Sequence, residues 1–193
     1  SRASRIAAET LIGEALLAAG KLDEAKAQIA AIDKLFPGVI GAQLLGARIA
    51  LLEGRNGDAV DVLQRVYDAI PDNARIQYLL ADALVRSGNL TRATELLAKR
   101  VRSAPEDMLA RRFLARLMLE QSRPDQVIEL LGSSSTASDD ADQESDGLLS
   151  AAKLAQQKAV EAIETLTSRL ATNPGDDALR AQLAAEHFRN GDP

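Results

Sequence analysis

Few residues of this chain have the types and spacing needed for chemistry. The single histidine, His187, would need His, Cys or carboxylate companions at ligand spacing to hold a metal, and none accompany it, so it reads as a satisfied or exposed helix histidine. Asp142, Glu144, Asp146 and Gly147 begin like a calcium loop, but Lys153 stands where the bidentate acid belongs. Gly38, Gly41 and Gly46 follow no strand and make no phosphate cradle. Asn89-Leu90-Thr91 fits a glycosylation acceptor, but helix capping already explains the Asn. No Ser–His–acid set or carboxylate pair stands out, and with no Cys there is no thiolate chemistry, disulfide or zinc–thiolate site. The expectation is a chain that is not an enzyme, with no catalytic residue, no metal site and no small-molecule cofactor.

What remains is charge. The 193 residues hold 23 Lys and Arg against 28 Asp and Glu, a net charge of −5. Asp139, Asp140, Asp142, Glu144 and Asp146 supply that −5 by themselves, so everything outside them sums to zero. They lie in 132–147, GSSSTASDDADQESDG, a low-complexity polar segment with too little apolar surface to offset its ordering entropy, and it reads as a disordered acidic loop. A body that is neutral overall and has only 3% aromatic residues is a poor nucleic-acid partner. No run approaches the ~18 apolar residues of a membrane span, and no signal peptide opens the chain. The chain stops at Gly191-Asp192-Pro193, inside what reads as another turn, so a piece of a longer protein is expected, with any membrane anchor outside it.

The elements that must position these charges are set by a period. Gly20, Gly54 and Gly88 are spaced by 34, as are Ala25, Ala59 and Ala93, and Pro37, Pro71 and Pro105. Three residue types in one register over three periods signal a solenoid of helical hairpins. The Gly closes the first helix in a left-handed cap, which costs little without a Cβ. The Ala lets the second helix approach closely, and the Pro ends it. Helices are expected at 6–19, 22–35, 40–53, 56–70, 74–87 and 90–103, after a polar lead-in at 1–5. Asp72 or Asn73 is placed to cap the helix at 74. Larger apolar residues fill the spaces between: Ile12, Leu16, Leu22 and Ile29 in the first unit, Leu80, Leu84, Leu90 and Leu97 in the third.

The later units are degenerate. At 108–131, Ser122 replaces the turn Gly, Pro124 opens the second helix, and Val127 takes the Ala place. Residues 148–172 lack a turn Gly, with Gln157 in its place, so a hairpin and one long helix are both open. Residues 177–190 match a first helix whose apolar face, Leu179, Leu183 and Phe188, would serve as a C-terminal lid.

These residues resemble the tetratricopeptide repeat, with Gly13, Ala47 and Ala81 at the family's small position of the first helix. The family's usual aromatic near the start of that helix is absent; Glu9, Gln43, Gln77 and Arg111 stand there. The resemblance implies an all-α, right-handed α-solenoid of about 5.5 stacked helix-turn-helix units. They run as one array over 1–193: 6–39, 40–73, 74–107, degenerate units at 108–131 and 148–176, and a half unit at 177–193. It also implies that first helices line a concave groove. Its lining would include Thr10, Glu14, Leu17, Leu44, Arg48, Leu51, Arg75, Tyr78, Asp82, Arg86, Leu109, Arg112, Arg116 and Leu119.

Arg48, Arg75, Arg86, Arg112 and Arg116 thus point to a groove for an acidic peptide or protein segment, with Tyr78, Asp82 and Leu51 among them. The bland reading of the same arginines is a solvated helix face. Thr10 and Glu14 do not match the family's clamp for chaperone C-termini, which disfavours a co-chaperone. Residues 109–131 and 174–192 are further similar to the repeat lipoprotein of bacterial exosortase/PEP-CTERM exopolysaccharide systems. That likeness implies a periplasmic or membrane-anchored setting in polysaccharide export or protein sorting. Two functions follow: a protein-binding scaffold, or an array that self-assembles through its repeat ends.

Overall fold

Local capping chemistry builds the same turn four times. In the computed structural model, which describes residues 1–132 and 143–190, Gly20, Gly54 and Gly88 adopt φ of 74°, 74° and 80°. Each such turn closes with two backbone hydrogen bonds: Gly20 N to Leu17 O and Lys21 N to Leu16 O in the first, Gly88 N to Val85 O and Asn89 N to Leu84 O in the third. That 5→2 and 6→1 pairing is the Schellman motif, which satisfies carbonyls orphaned at the helix end. The fourth turn keeps both bonds, Ser122 N to Leu119 O and Arg123 N to Met118 O, with Ser122 held at φ 58° in the Gly place.

Among the described residues the chain forms ten helices and no strands, an all-α solenoid class of fold. It divides into two units, Ser1–Arg100 and Val101–Pro193. The first carries α1 (Arg2–Ala18), α2 (Leu22–Leu35), α3 (Ile40–Leu52), α4 (Asn56–Ala69), α5 (Ala74–Arg86) and most of α6 (Leu90–Ser103). The second carries α7 (Met108–Glu120), α8 (Pro124–Gly132), α9 (Gln143–Thr172) and α10 (Asp177–Arg189).

In the first unit the alanines do what their size allows. Ala25, Ala59 and Ala93 are each 0% exposed. Ala25 packs with Leu17, Leu45 and Ile49, with Leu16, Leu22 and Ile29 against them. Gly13 is equally tight: a Cβ there would lie 2.8 Å from Leu45 Cδ1. Ile12, expected in the core, is instead 49% exposed, because the face of α1 that meets α3 is carried by Gly13 and Leu17. Residues 2–5 are not a lead-in but the first turn of α1, since the Ser1 side chain accepts from Ser4 N and caps it. Asn73 caps α5 the same way, through Ile76 N. Where the family places an aromatic, Gln77 is buried and donates its amide to Pro71 O at 2.6 Å, while Gln43 donates to Gly38 O at 3.4 Å. The missing ring is thus replaced by a polar tie from the first helix back to the preceding turn.

In the second unit, Ala115, Val127, Leu131 and Ala152 form a buried cluster, with Leu148 and Leu149 packed against it. Pro124 opens α8 as its first residue, where its missing N–H costs nothing. Residues 148–172 belong to one helix, α9, of 30 residues, roughly 45 Å long. Ala, Lys, Gln and Glu dominate its middle, and without a turn Gly at Gln157 nothing interrupts them. The disordered loop expected over 132–147 is corrected at both ends. Gly132 closes α8, and 143–147 form the start of α9, anchored by Leu148 and Leu149; the stretch 133–142 lies outside the described residues. Asp176 caps α10 by accepting from Ala178 N and Leu179 N. Only Leu179 of the expected lid is buried there, while Phe188 is 84% exposed.

Candidate functional site

The candidate residues sit on first helices, whose register is fixed by the turns that precede them. In the first unit α1 packs on α3 and α3 on α5, so three first helices lie side by side. Tight approach makes this possible. A Cβ on Gly41 would meet Thr10 Cγ2 at 2.6 Å, and Thr10 turns its hydroxyl back to donate to Ile6 O at 2.8 Å.

On this face, Arg75 of α5 donates through Nη2 to Glu14 Oε1 of α1 at 2.5 Å. Arg86 Nε donates to Asp82 Oδ2 at 2.9 Å along α5. Arg48 of α3 is half-buried and has no ion-pair partner among the described residues; Tyr78 and Leu44 are half-buried too. Leu51 and Leu17 are corrections to the expected lining: both are core side chains, 7% and 8% exposed.

In the second unit, Arg112 and Arg116 lie one turn apart on α7. Both face Glu144 of α9, Arg112 Nε at 3.4 Å from Oε2 and Arg116 Nη1 at 3.4 Å from Oε1. The Arg116 guanidinium also lies over the Phe113 ring, 5.6 Å from its centroid. Leu109 is 49% exposed, whereas Leu119 packs partly against the Ala115 cluster.

Sequence reasoning missed Glu144 as a member of this site, because the segment's composition reads as a loop. The available signal was the Leu148-Leu149 pair, four and five residues on, which anchors that turn to α7 and α8. It also missed the second-helix side, where Lys99 Nζ donates to Tyr67 OH at 3.0 Å beside a recess of about 220 Å³ floored by Leu80 and Leu84. That hydrogen bond raises the Lys99 pKa above its ordinary value.

Two oppositely charged groups now recur: arginines on first helices, and carboxylates that meet them. Each of these arginines other than Arg48 meets a carboxylate of the chain itself. Among the described residues no cluster of three or more His, Cys, Asp or Glu could hold a metal ion, and no helix is long and apolar enough to cross a membrane. His187 is half-buried on α10.

Tetratricopeptide-repeat family models match residues 10–74 and 50–117, together spanning 10–117 of the 193. Comparison with curated proteins gives no sequence match. Among solved structures, a thermophilic TPR protein of Thermus thermophilus is 19% identical, with a TM-score of 0.60 over 95% of this chain and 99% of that one. YrrB, described as a TPR protein with an unusual peptide-binding site, is 17% identical, with a TM-score of 0.61 over 92% and 90%. MamA from Desulfovibrio magneticus RS-1 is 20% identical, with a TM-score of 0.53 over 78% and 75%. These likenesses are likenesses of fold.

Proposed function

We propose, for a chain that belongs to the tetratricopeptide-repeat family, a role as a protein-interaction scaffold whose first-helix faces take peptide or protein segments of acidic character. The observation that carries this reading is the Arg75–Glu14 bond, in which a first-helix arginine holds a carboxylate brought from another repeat. Arginine suits this task because its planar fork meets carboxylates with directed N–H bonds. In the first unit Arg48, Arg75, Tyr78, Asp82 and Arg86 form the candidate face; in the second, Arg112 and Arg116 do so. Binding to an array of acidic, neutral and basic peptides of equal length tests it. The acidic set should bind best and weaken as salt rises; equal binding by all three sets contradicts it.

The likeness of 109–131 and 174–192 to the exosortase/PEP-CTERM repeat lipoprotein supports placing this scaffold in polysaccharide export or protein sorting. Deleting the gene from its host should then lower cell-bound exopolysaccharide, and an unchanged level removes that placement. Phe188, 84% exposed on α10, favours the second reading, self-assembly of copies into an array. Under that reading sedimentation shows concentration-dependent oligomers that Phe188→Ser abolishes; monomers at all concentrations contradict it.

A further inference from the structure

We propose that Arg112 and Arg116 form a carboxylate site on α7 that is occupied by the chain's own Glu144, so that an acidic partner segment binds there by displacing Glu144. The proposal rests on the reading that first-helix faces take acidic segments, and it names the group those segments must compete with.

Four observations carry it. Arg112 and Arg116 are four residues apart on one helix, which puts both guanidiniums on one face. The two carboxylate oxygens of Glu144 are divided between them, one to each arginine, as a ligand carboxylate would be. The site is held in place: the Arg112 side chain is only 24% exposed, and Arg116 lies over the Phe113 ring. The occupant is delivered by packing, because Leu148 and Leu149, one turn further along α9, are seated against Ala115, Val127, Leu131 and Ala152.

The contact is also loose enough to exchange. Both separations are 3.4 Å, longer than the ~2.7–2.9 Å of a well-formed N–H···carboxylate bond, so Glu144 is an ion-pair occupant rather than a fully bonded one. Arg116 and Glu144 are each about half exposed, at 50% and 47%, so water and salt screen the pair. A free carboxylate able to approach in the guanidinium plane gains hydrogen bonds that Glu144 does not make. Glu144 acts from a tethered position, and its local concentration sets the handicap an incoming acid must overcome.

Fluorescent hexaglutamate, with hexaglutamine as the uncharged control, tests this on the full chain by anisotropy at low salt and at ~0.15 M salt. Glu144→Gln should raise hexaglutamate affinity about 3- to 10-fold at low salt, less at high salt, and leave hexaglutamine unaffected. The gain should vanish when Arg112→Gln and Arg116→Gln are added. Circular dichroism and thermal melting of each variant separate this from a structural role. A Glu144→Gln chain that melts lower but binds hexaglutamate as the parent does overturns the proposal. Binding that depends on Arg75 and Arg86 but ignores Glu144, Arg112 and Arg116 overturns it and leaves the scaffold reading standing. Hexaglutamate binding by no variant, Glu144→Gln included, overturns both.

Discussion

The guanidinium of Arg75 holds the carboxylate of Glu14 at 2.5 Å, although 61 residues of chain separate them. The pair links the first helices of the first and third repeats, α1 and α5. Under the proposed function, Arg75 does not meet a partner bare: an incoming carboxylate would have to exchange with Glu14. Arg86 is engaged with Asp82 in the same way, whereas Arg48 has no ion-pair partner among the described residues.

Glu14→Gln should therefore strengthen binding of an acidic peptide. Exposed ion pairs of this kind are worth about 0.2–1 kcal/mol, so the gain should be roughly 1.5- to 5-fold. Titration calorimetry of both chains checks it, and weaker binding by Glu14→Gln would mean that Glu14 itself contacts the partner.

Ser122→Gly should stabilise the second unit by about 1 kcal/mol. Ser122 sits at φ 58° in a turn whose hydrogen bonds match those of three glycine turns, so the Cβ is the one strained feature that differs. The midpoint of urea unfolding should rise; a fall would show that the Ser122 side chain contributes more than its backbone strain costs.

Ala25→Leu should destabilise the first unit by about 1–3 kcal/mol, because Ala25 is 0% exposed between Leu17, Leu45 and Ile49. Ala27→Leu, two residues on and exposed, should be nearly neutral. Equal effects of the two substitutions would remove the close helix contact as the reason for the recurring alanine.

Glu53 gives a pH dependence. Hydrogen bonds from Lys26 first and Arg55 second hold its carboxyl below the ordinary value of 4.5. A group with a lowered folded pKa contributes stability that is complete above its unfolded pKa and lost as pH falls through its folded one. The stability gap between the parent and Glu53→Gln should therefore narrow as pH drops from about 6 to about 3. A gap that stays constant across that range would mean the ion pairs with Lys26 and Arg55 add nothing.

Much of this architecture is legible in the sequence because it is written in backbone constraints. Gly20, Gly54 and Gly88 mark positions that need positive φ, and Ala25, Ala59 and Ala93 mark positions without room, so both recur whatever the partner is. Composition misleads where tertiary packing decides. Gln143 to Gly147 look like polar loop but form the first turn of α9, because the partly buried Leu148 and Leu149 that follow pack against α7 and α8. The family resemblance also does not separate lining from core: it implies that Leu51 faces a ligand, yet Leu51 is 7% exposed. The pairing of Arg75 with Glu14 depends on how the repeats stack, which no single repeat encodes.

The central claim is that first-helix arginines take the carboxylates of an acidic partner. Hexaglutamate affinity of the parent chain and of one carrying Arg48, Arg75, Arg86, Arg112 and Arg116 all changed to Gln, measured across a salt series, tests it most directly. The account predicts at least a tenfold loss at low salt and a flattened salt dependence, with helicity unchanged. Equal affinity and equal salt dependence in the two chains would contradict it.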